Sequence, residues 1–257
     1  MQLDKLIVET RVRSGWSAID LGVVLGRMFW LRGVLLYLTL ALPLFAVLVF
    51  IVNMSAVYAY LILWWFKPLF ERPILYYLSR ELFNESVGYW KTLRRWRQWL
   101  WPCLGWILTV RRLSVNRGMY APVSLLESPR SGNYGKRVTV LGSKYANEST
   151  WLTVVFYHLE SFFATALLVL LAIFFPNLIE FDFKLLVDLQ SNTVYVVLGT
   201  LLTMSVVAPF YTAAGFILYI SRRVELEGWD IEICFRDWMN GYTPSPERSI
   251  VDPSVQV

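Results

Sequence analysis

The sequence predicts an all-α integral membrane protein with four transmembrane helices, both termini cytoplasmic, and a collar of amphipathic interfacial helices. Three observations predict it. Apolar residues make up 56% of the 257 and charged residues only 17%, a balance that soluble domains of this length rarely carry. The apolar residues gather into runs long enough to cross a bilayer. The basic residues are sorted by those runs: five Lys or Arg precede the first, 14 lie in the middle segment, four follow the last, and Lys184 alone falls on the other side.

Residues 1–33 mix charge with apolar positions and read as a cytoplasmic amphipathic helix. Ser17-Ala18-Ile19-Asp20 has the form of a capping box, which predicts a helix from near Ser17 to about Arg32. The long charged stretch before the first apolar run, with no cleavage site after it, argues against a cleavable signal peptide. Gly22-Val-Val-Leu-Gly26 has the spacing of a close-packing motif, but in an interfacial helix it carries little weight.

Residues 34–66 hold the first two spans. Val34–Val52 is unbroken apart from Pro43. Ala56–Phe66 is short, and Lys67 can snorkel to the interface to lengthen it. Without this second span the 14 basic residues of the middle segment would lie outside, in conflict with the rest of the charge pattern.

Residues 67–150 form a basic cytoplasmic interfacial region with only five acids. Pro73–Phe83 and Val87–Gln98 read as amphipathic helices. Leu100–Val110 is apolar but short, holds Pro102 and has arginines on both flanks, so it reads as interfacial or re-entrant. The runs Val123–Glu127 and Arg137–Leu141, on either side of a Ser/Pro/Gly/Asn stretch, also admit a small β-hairpin.

Residues 151–221 hold spans three and four, Trp151–Phe175 and Thr193–Ile220. The second of these contains Pro209 and small residues suited to close helix contact. Residues 222–239 come next as a cytoplasmic latch, read as a helix continuing through Gly228, with a strand from Trp229 to Phe235 as the alternative. Its charged residues Arg223, Glu227, Asp230 and Glu232, with Trp229, are expected to meet the basic middle segment or the N-terminal helix. Residues 240–257, with three prolines, read as a disordered tail.

The chemistry-bearing residues are few. Trp90, Arg94, Arg95, Trp96, Arg97, Trp99, Arg111 and Arg112 interleave aromatic and basic side chains. In a membrane-bound chain that pattern points to anionic lipid headgroups and away from nucleic acid. His158 and Glu160 are ionisable residues inside the third span, which makes them a functional hypothesis. Two positions apart on a helix they do not share a face, and a structural bond from Glu160 to a cytoplasmic arginine is the plainer expectation. Two distant cysteines and one histidine supply no disulfide framework and no metal site, and no cofactor is expected. No nucleophile elbow, phosphate-cradling loop or His-Glu-x-x-His is present, so the chain is not expected to be an enzyme.

Arg13-Ser-Gly-Trp-Ser-Ala-Ile-Asp-Leu-Gly22, Trp64-Trp-Phe-Lys-Pro-Leu69 and Leu226-Glu-Gly-Trp-Asp-Ile-Glu-Ile233 resemble a family of multi-pass bacterial inner-membrane proteins. Tyr76 to Phe83, Arg112-Leu-Ser114 and Pro122-Val123 add to the likeness. The terminal pattern is also similar to membrane domains of the glycerophosphodiester phosphodiesterase-associated type, whose chemistry belongs to a soluble domain not found in this sequence. The resemblance implies a protein of the bacterial inner membrane whose genes sit beside MoxR-type AAA+ ATPases and membrane-anchored transglutaminase-like proteins. It brings no established catalytic residues. The leading expectation is therefore a non-enzymatic subunit or scaffold of an envelope-associated assembly, docking membrane or AAA+ partners through its cytoplasmic collar. The alternative is a small transporter or lipid-binding protein using Glu160, His158 and the basic aromatic region.

Overall fold

The structure, a computed structural model, describes residues 13–174 and 193–228, apart from 84, 86, 103, 110, 111 and 128–130. Its described residues form helices α1 (Gly15–Met28), α2 (Trp30–Ala46), α3 (Ala56–Leu82), α4 (Tyr89–Arg94), α5 (Trp96–Leu100), α6 (Leu104–Leu108), α7 (Arg117–Pro122), α8 (Ser131–Phe174) and α9 (Thr193–Glu227). Single π-helical turns, Val47–Ile51 and Val123–Glu127, extend α2 and α7. Three helical stretches are long and apolar enough to span a membrane: Trp30–Ile51, Tyr134–Leu171 and Val194–Glu227.

The start of α1 is set by Ser14, whose hydroxyl accepts from the Ser17 backbone N–H at 3.3 Å. Ser14 is thus the N-cap, and the capping box expected at Ser17 lies inside the helix. At Phe29 (φ −107°, ψ 12°) the chain leaves helical geometry for one residue, and α2 begins in a new direction. α2 ends beyond its π turn at Asn53, whose φ of 51° is left-handed, a conformation that asparagine tolerates better than most residues.

α3 runs without a break through Pro68 and Pro73, so the short second span and the amphipathic helix expected after it are one element of 27 residues. Pro68 has no N–H to offer the carbonyl of Trp64, four residues back. The Arg112 guanidinium donates to that carbonyl at 2.6 Å and lies over the Trp64 ring, 3.7 Å from its centroid. A cation from a distant segment thus satisfies the backbone acceptor that the proline frees.

α9 is the helix around which the others are packed: α1, α2, α3, α7 and α8 all lie against it. Small residues allow the approach. A Cβ added at Gly22 would sit 2.4 Å from the Ala214 Cα, and one at Gly26 would sit 3.0 Å from the Phe210 Cα. These two glycines, four apart on α1, face two α9 residues four apart in the opposite sense, which is the signature of antiparallel close packing. An adjacent face of α9 is as tight, because a Cβ on Gly215 would lie 2.5 Å from the Gly118 carbonyl oxygen of α7. α1 therefore does not lie alone at an interface: its glycine face is buried, and its outer face exposes Trp16, Val24 and Met28.

The expected hairpin is replaced by helix. Val123–Glu127 is the π turn after Pro122, and Arg137–Leu141 belongs to α8. Helical spacing places Arg137, Leu141 and Tyr145 on one face. Leu141 and Tyr145 are buried there, and Arg137 reaches Glu127 and Glu227. α8 thus begins 20 residues before the expected third span and bends at Tyr145 (φ −106°, ψ 20°). Past the bend it exposes Val155, Phe162, Phe163, Leu170, Ile173 and Phe174. Such a stripe is expensive in water and ordinary against lipid.

Val87–Gln98, expected as one helix, divides at Arg95 into α4 and α5. At the far end, α9 closes at Glu227, and Gly228 takes a φ of 64°, the left-handed geometry that ends helices. The latch helix expected to continue through Gly228 is broken at that residue. Trp229, Asp230, Glu232 and the proline-rich tail lie outside the described residues.

Candidate functional site: a buried basic cavity

The sequence places the charges of α3 one helical turn apart. Lys67 and Glu71 are i,i+4 neighbours, with Arg72 beside them, and α3 buries all three. Apolar residues continue on both sides of these charges, and that continuity carries them into the interior. Phe70, Ile74, Leu75, Tyr76 and Tyr77 are all in the core.

Lys67 pairs with Glu160 of α8, each about 6% exposed or less. The partner expected for Glu160 was a cytoplasmic arginine; it is this lysine, because α3 continues past Lys67 instead of ending there. Arg72 donates to the carbonyls of Leu100, at 2.6 Å, and Pro102, and so anchors the end of α5 to α3. Arg117, the first residue of α7, donates through Nε to the Tyr211 hydroxyl at 3.2 Å and lies over the Tyr211 ring. Thr153 of α8 shares the same hydroxyl.

These groups surround a cavity between α3, α7 and α9. It offers about 50 Å³ to the centres of water-sized spheres, room for more than one water. Glu71, Arg72, Ser114, Arg117, Tyr211 and Thr212 supply its polar lining. Glu71 is 9% exposed, yet no described residue hydrogen-bonds its carboxylate, and Oε1 and the Thr212 hydroxyl are enclosed without a partner. Among the described residues two cations, Arg72 and Arg117, line the cavity with one carboxylate, Glu71. The Lys67–Glu160 pair neutralises itself, so the excess positive charge is that of the arginines.

The arginines keep that charge. Burial and the neighbouring Arg117 guanidinium push Arg112 down to about 10, still well above neutral pH. Burial opposes the charge on Arg117 as well, but Tyr211 and Glu71 outweigh it and hold its pKa above the usual arginine range.

A second cavity of about 200 Å³ lies farther along the bundle between α3, α8 and α9. Tyr60, Glu160, Ser161, Thr165, Thr200 and Thr203 line it. From Met204, which lines this cavity, to Tyr211, which lines the first, is seven residues of α9, or about 10 Å along the axis. The Lys67–Glu160 pair stands between the two. Among the described residues no three of His, Cys, Asp and Glu converge as a metal site would require.

No family model, curated protein or solved structure matches this chain, so the geometry alone bears on its function.

The other residues singled out from the sequence are dispersed over the molecule. Trp90, Arg94, Arg95, Trp96 and Arg97 are exposed on α4 and α5. Trp99 faces inward and donates to the Thr92 carbonyl at 2.9 Å, and Arg112 is buried over the Trp64 ring. Neither is available to a lipid surface in the way the expectation required. Arg111 lies outside the described residues. His158 is exposed, its ring Nδ1 against the Val154 carbonyl at 2.8 Å, and it faces away from Glu160. Arg223 and Glu227 sit in a network at the end of α9. Arg137 bonds both Glu127 and Glu227 at 2.7 Å, Arg223 bonds Glu227 at 2.6 Å, and Tyr219 donates to Glu127 at 2.6 Å. Lys144 and Arg222 pair with Glu225 beside them.

Sequence reasoning reads Glu71 and Arg117 as ordinary loop charges. The signal that locates them is the uninterrupted apolar pattern across Lys67–Arg72, together with proline-freed carbonyls that need a donor from elsewhere.

Proposed function

We propose that this chain is a four-span protein of the bacterial inner membrane that binds a phosphate-bearing lipid headgroup in the basic cavity between α3, α7 and α9. The observation that carries the proposal is a cavity lined by two guanidinium groups, Arg72 and Arg117, that also presents a hydroxyl, Thr212, without a partner among the described residues. A phosphate brought between two guanidinium groups gains charge-assisted hydrogen bonds from them. Phosphate oxygens suit guanidinium donors in particular. This reading is the lipid-binding alternative from the sequence, moved from the exposed aromatic helix to the interior; the exposed tryptophans and arginines of α4 and α5 then serve as headgroup-level anchors.

In the topology that goes with it, α2, α3, α8 and α9 cross the bilayer and both termini are cytoplasmic. α3 fails as a span on composition alone because of its charges, but at 27 residues it is about 40 Å long, and those charges are held inside the protein. The positive-inside pattern supports the orientation. With the native cysteines replaced, a single cysteine at Asn53 should react with an impermeant thiol reagent in intact cells. One at Lys136 should react only after permeabilisation. The reverse pattern overturns the topology.

Binding is tested by counting lipid phosphorus per chain after purification in mild detergent. Wild type should retain about one phospholipid, and Lys136→Gln, an exposed charge on α8 far from the cavity, should match it. Arg117→Gln should lose most of the retained phosphorus, since each charge-assisted bond contributes about 1.5–3 kcal/mol. Equal phosphorus in wild type and Arg117→Gln, or none in either, contradicts the proposal.

A further inference from the structure

The basic cavity also contains a carboxylate to which no arginine among the described residues donates a hydrogen bond. Glu71 is nine-tenths buried, lines the same cavity as Arg117, and receives no hydrogen bond from any described residue. A bare phosphate would satisfy the arginines but bring a second negative charge close to Glu71. A bare cation would satisfy Glu71 but enter a site that already has an excess of guanidinium charge. A ligand with both charges, joined by a short spacer, meets both requirements at once.

Resting on the phosphate reading above, we propose that the cavity is selective for a zwitterionic aminophosphate headgroup, that of an ethanolamine phospholipid. Its phosphate lies on Arg117 and the Thr212 hydroxyl, and its primary ammonium donates to the Glu71 carboxylate. Lys67 is committed to Glu160, so Glu71 is the acid that reads the amine. The ammonium carries three N–H donors, and a carboxylate with no protein donor has lone pairs to accept them. Selectivity thus comes from Glu71 and affinity from the arginines.

The test uses the purified full chain in detergent and native mass spectrometry, with phosphatidylethanolamine and phosphatidylglycerol of identical acyl chains supplied in equal amounts. Wild type should retain phosphatidylethanolamine over phosphatidylglycerol by about tenfold, the effect of one charge-assisted hydrogen bond. Glu71→Gln should bring the ratio near one while total lipid retention persists. A series on wild type alone removes any dependence on the variant's folding: retention should fall with each N-methyl group from ethanolamine to choline, as N–H donors are lost. Displacement of the lipid by soluble phosphoethanolamine would support the headgroup chemistry with no need of acyl chains. Resistance to it would support the lipid as the source. Retention of lipid with no preference for the amine, or a flat methylation series, overturns this inference and leaves the phosphate reading standing. Retention of no lipid overturns both.

Discussion

Glu160→Ala is expected to destabilise the protein by about 3–5 kcal/mol, because it leaves the Lys67 ammonium in the interior without its partner. Lys67 is 5% and Glu160 6% exposed, so the ammonium depends on this carboxylate for its partner in the interior. In the surrounding cluster the nearest charges are mostly positive, which deepens the penalty. A loss of that size lowers the thermal midpoint by on the order of 10 °C in a chain of this length. Glu160→Gln keeps an acceptor without the charge and should fall between wild type and Glu160→Ala. The double replacement Lys67→Met with Glu160→Leu removes both charges together and should recover to within about 1 kcal/mol of wild type. Denaturation in detergent, monitored by tryptophan fluorescence, reads all four proteins. A Glu160→Ala protein as stable as wild type would mean that water reaches the pair in the folded state.

Gly22→Ala is expected to cost at least 2–3 kcal/mol, at the upper end of the usual ~1–3 kcal/mol range for overpacking, because the new methyl meets backbone. Its Cβ would lie 2.4 Å from the Ala214 Cα and 2.9 Å from the Ala213 carbonyl oxygen, so no side-chain rotation can relieve it. α1 must move away from α9, and contacts of Ala18, Ile19 and Leu25 move with it. Gly15→Ala is the matched control. The atoms its Cβ would meet first are not backbone but the Glu148 side chain, with Cγ at 2.7 Å; that side chain can swing aside as a whole, and the change should cost no more than about 1 kcal/mol. Equal stabilities for the two variants, measured side by side, would contradict the packing of α1 on α9.

A signal in the sequence is legible to the extent that its physical cause is local. The apolar stretches of α2, α8 and α9 can be read directly because lipid-facing length is set by composition over about 20 residues. α3 is legible only in its first half. The charges of Lys67 and Arg72 are held by groups 28 to 93 positions distant in the chain, Glu160 for Lys67 and the Leu100 and Pro102 carbonyls for Arg72. The hairpin reading fails for the same reason: Val138, Thr139 and Val140 have strand-like side chains, but the acids that hold Arg137 (Glu127 and Glu227) belong to other elements. Gly22 and Gly26 stand out by their spacing, yet carry little weight while the helix that holds them is taken to lie on a surface. Their meaning depends on α9, the helix against which they pack.

Glu160 illustrates the difference between finding a residue and reading it. Its depth in an apolar span marks it as unusual. Its role comes from Lys67, the buried cation with which it pairs beside a hydroxyl-lined cavity. In the sequence Glu71 and Arg117 are only charges in a basic segment, and three-dimensional placement alone puts them on one cavity wall.

The most direct measurement is an electron cryomicroscopy map of the wild-type protein in nanodiscs of native lipid, with a bound antibody fragment to supply mass. Tetrahedral density is expected against Arg117 and Thr212, extending toward the Glu71 carboxylate and continuing into an acyl region. A cavity filled only by water, or closed by a direct Glu71–Arg117 salt bridge, would contradict lipid binding at this site.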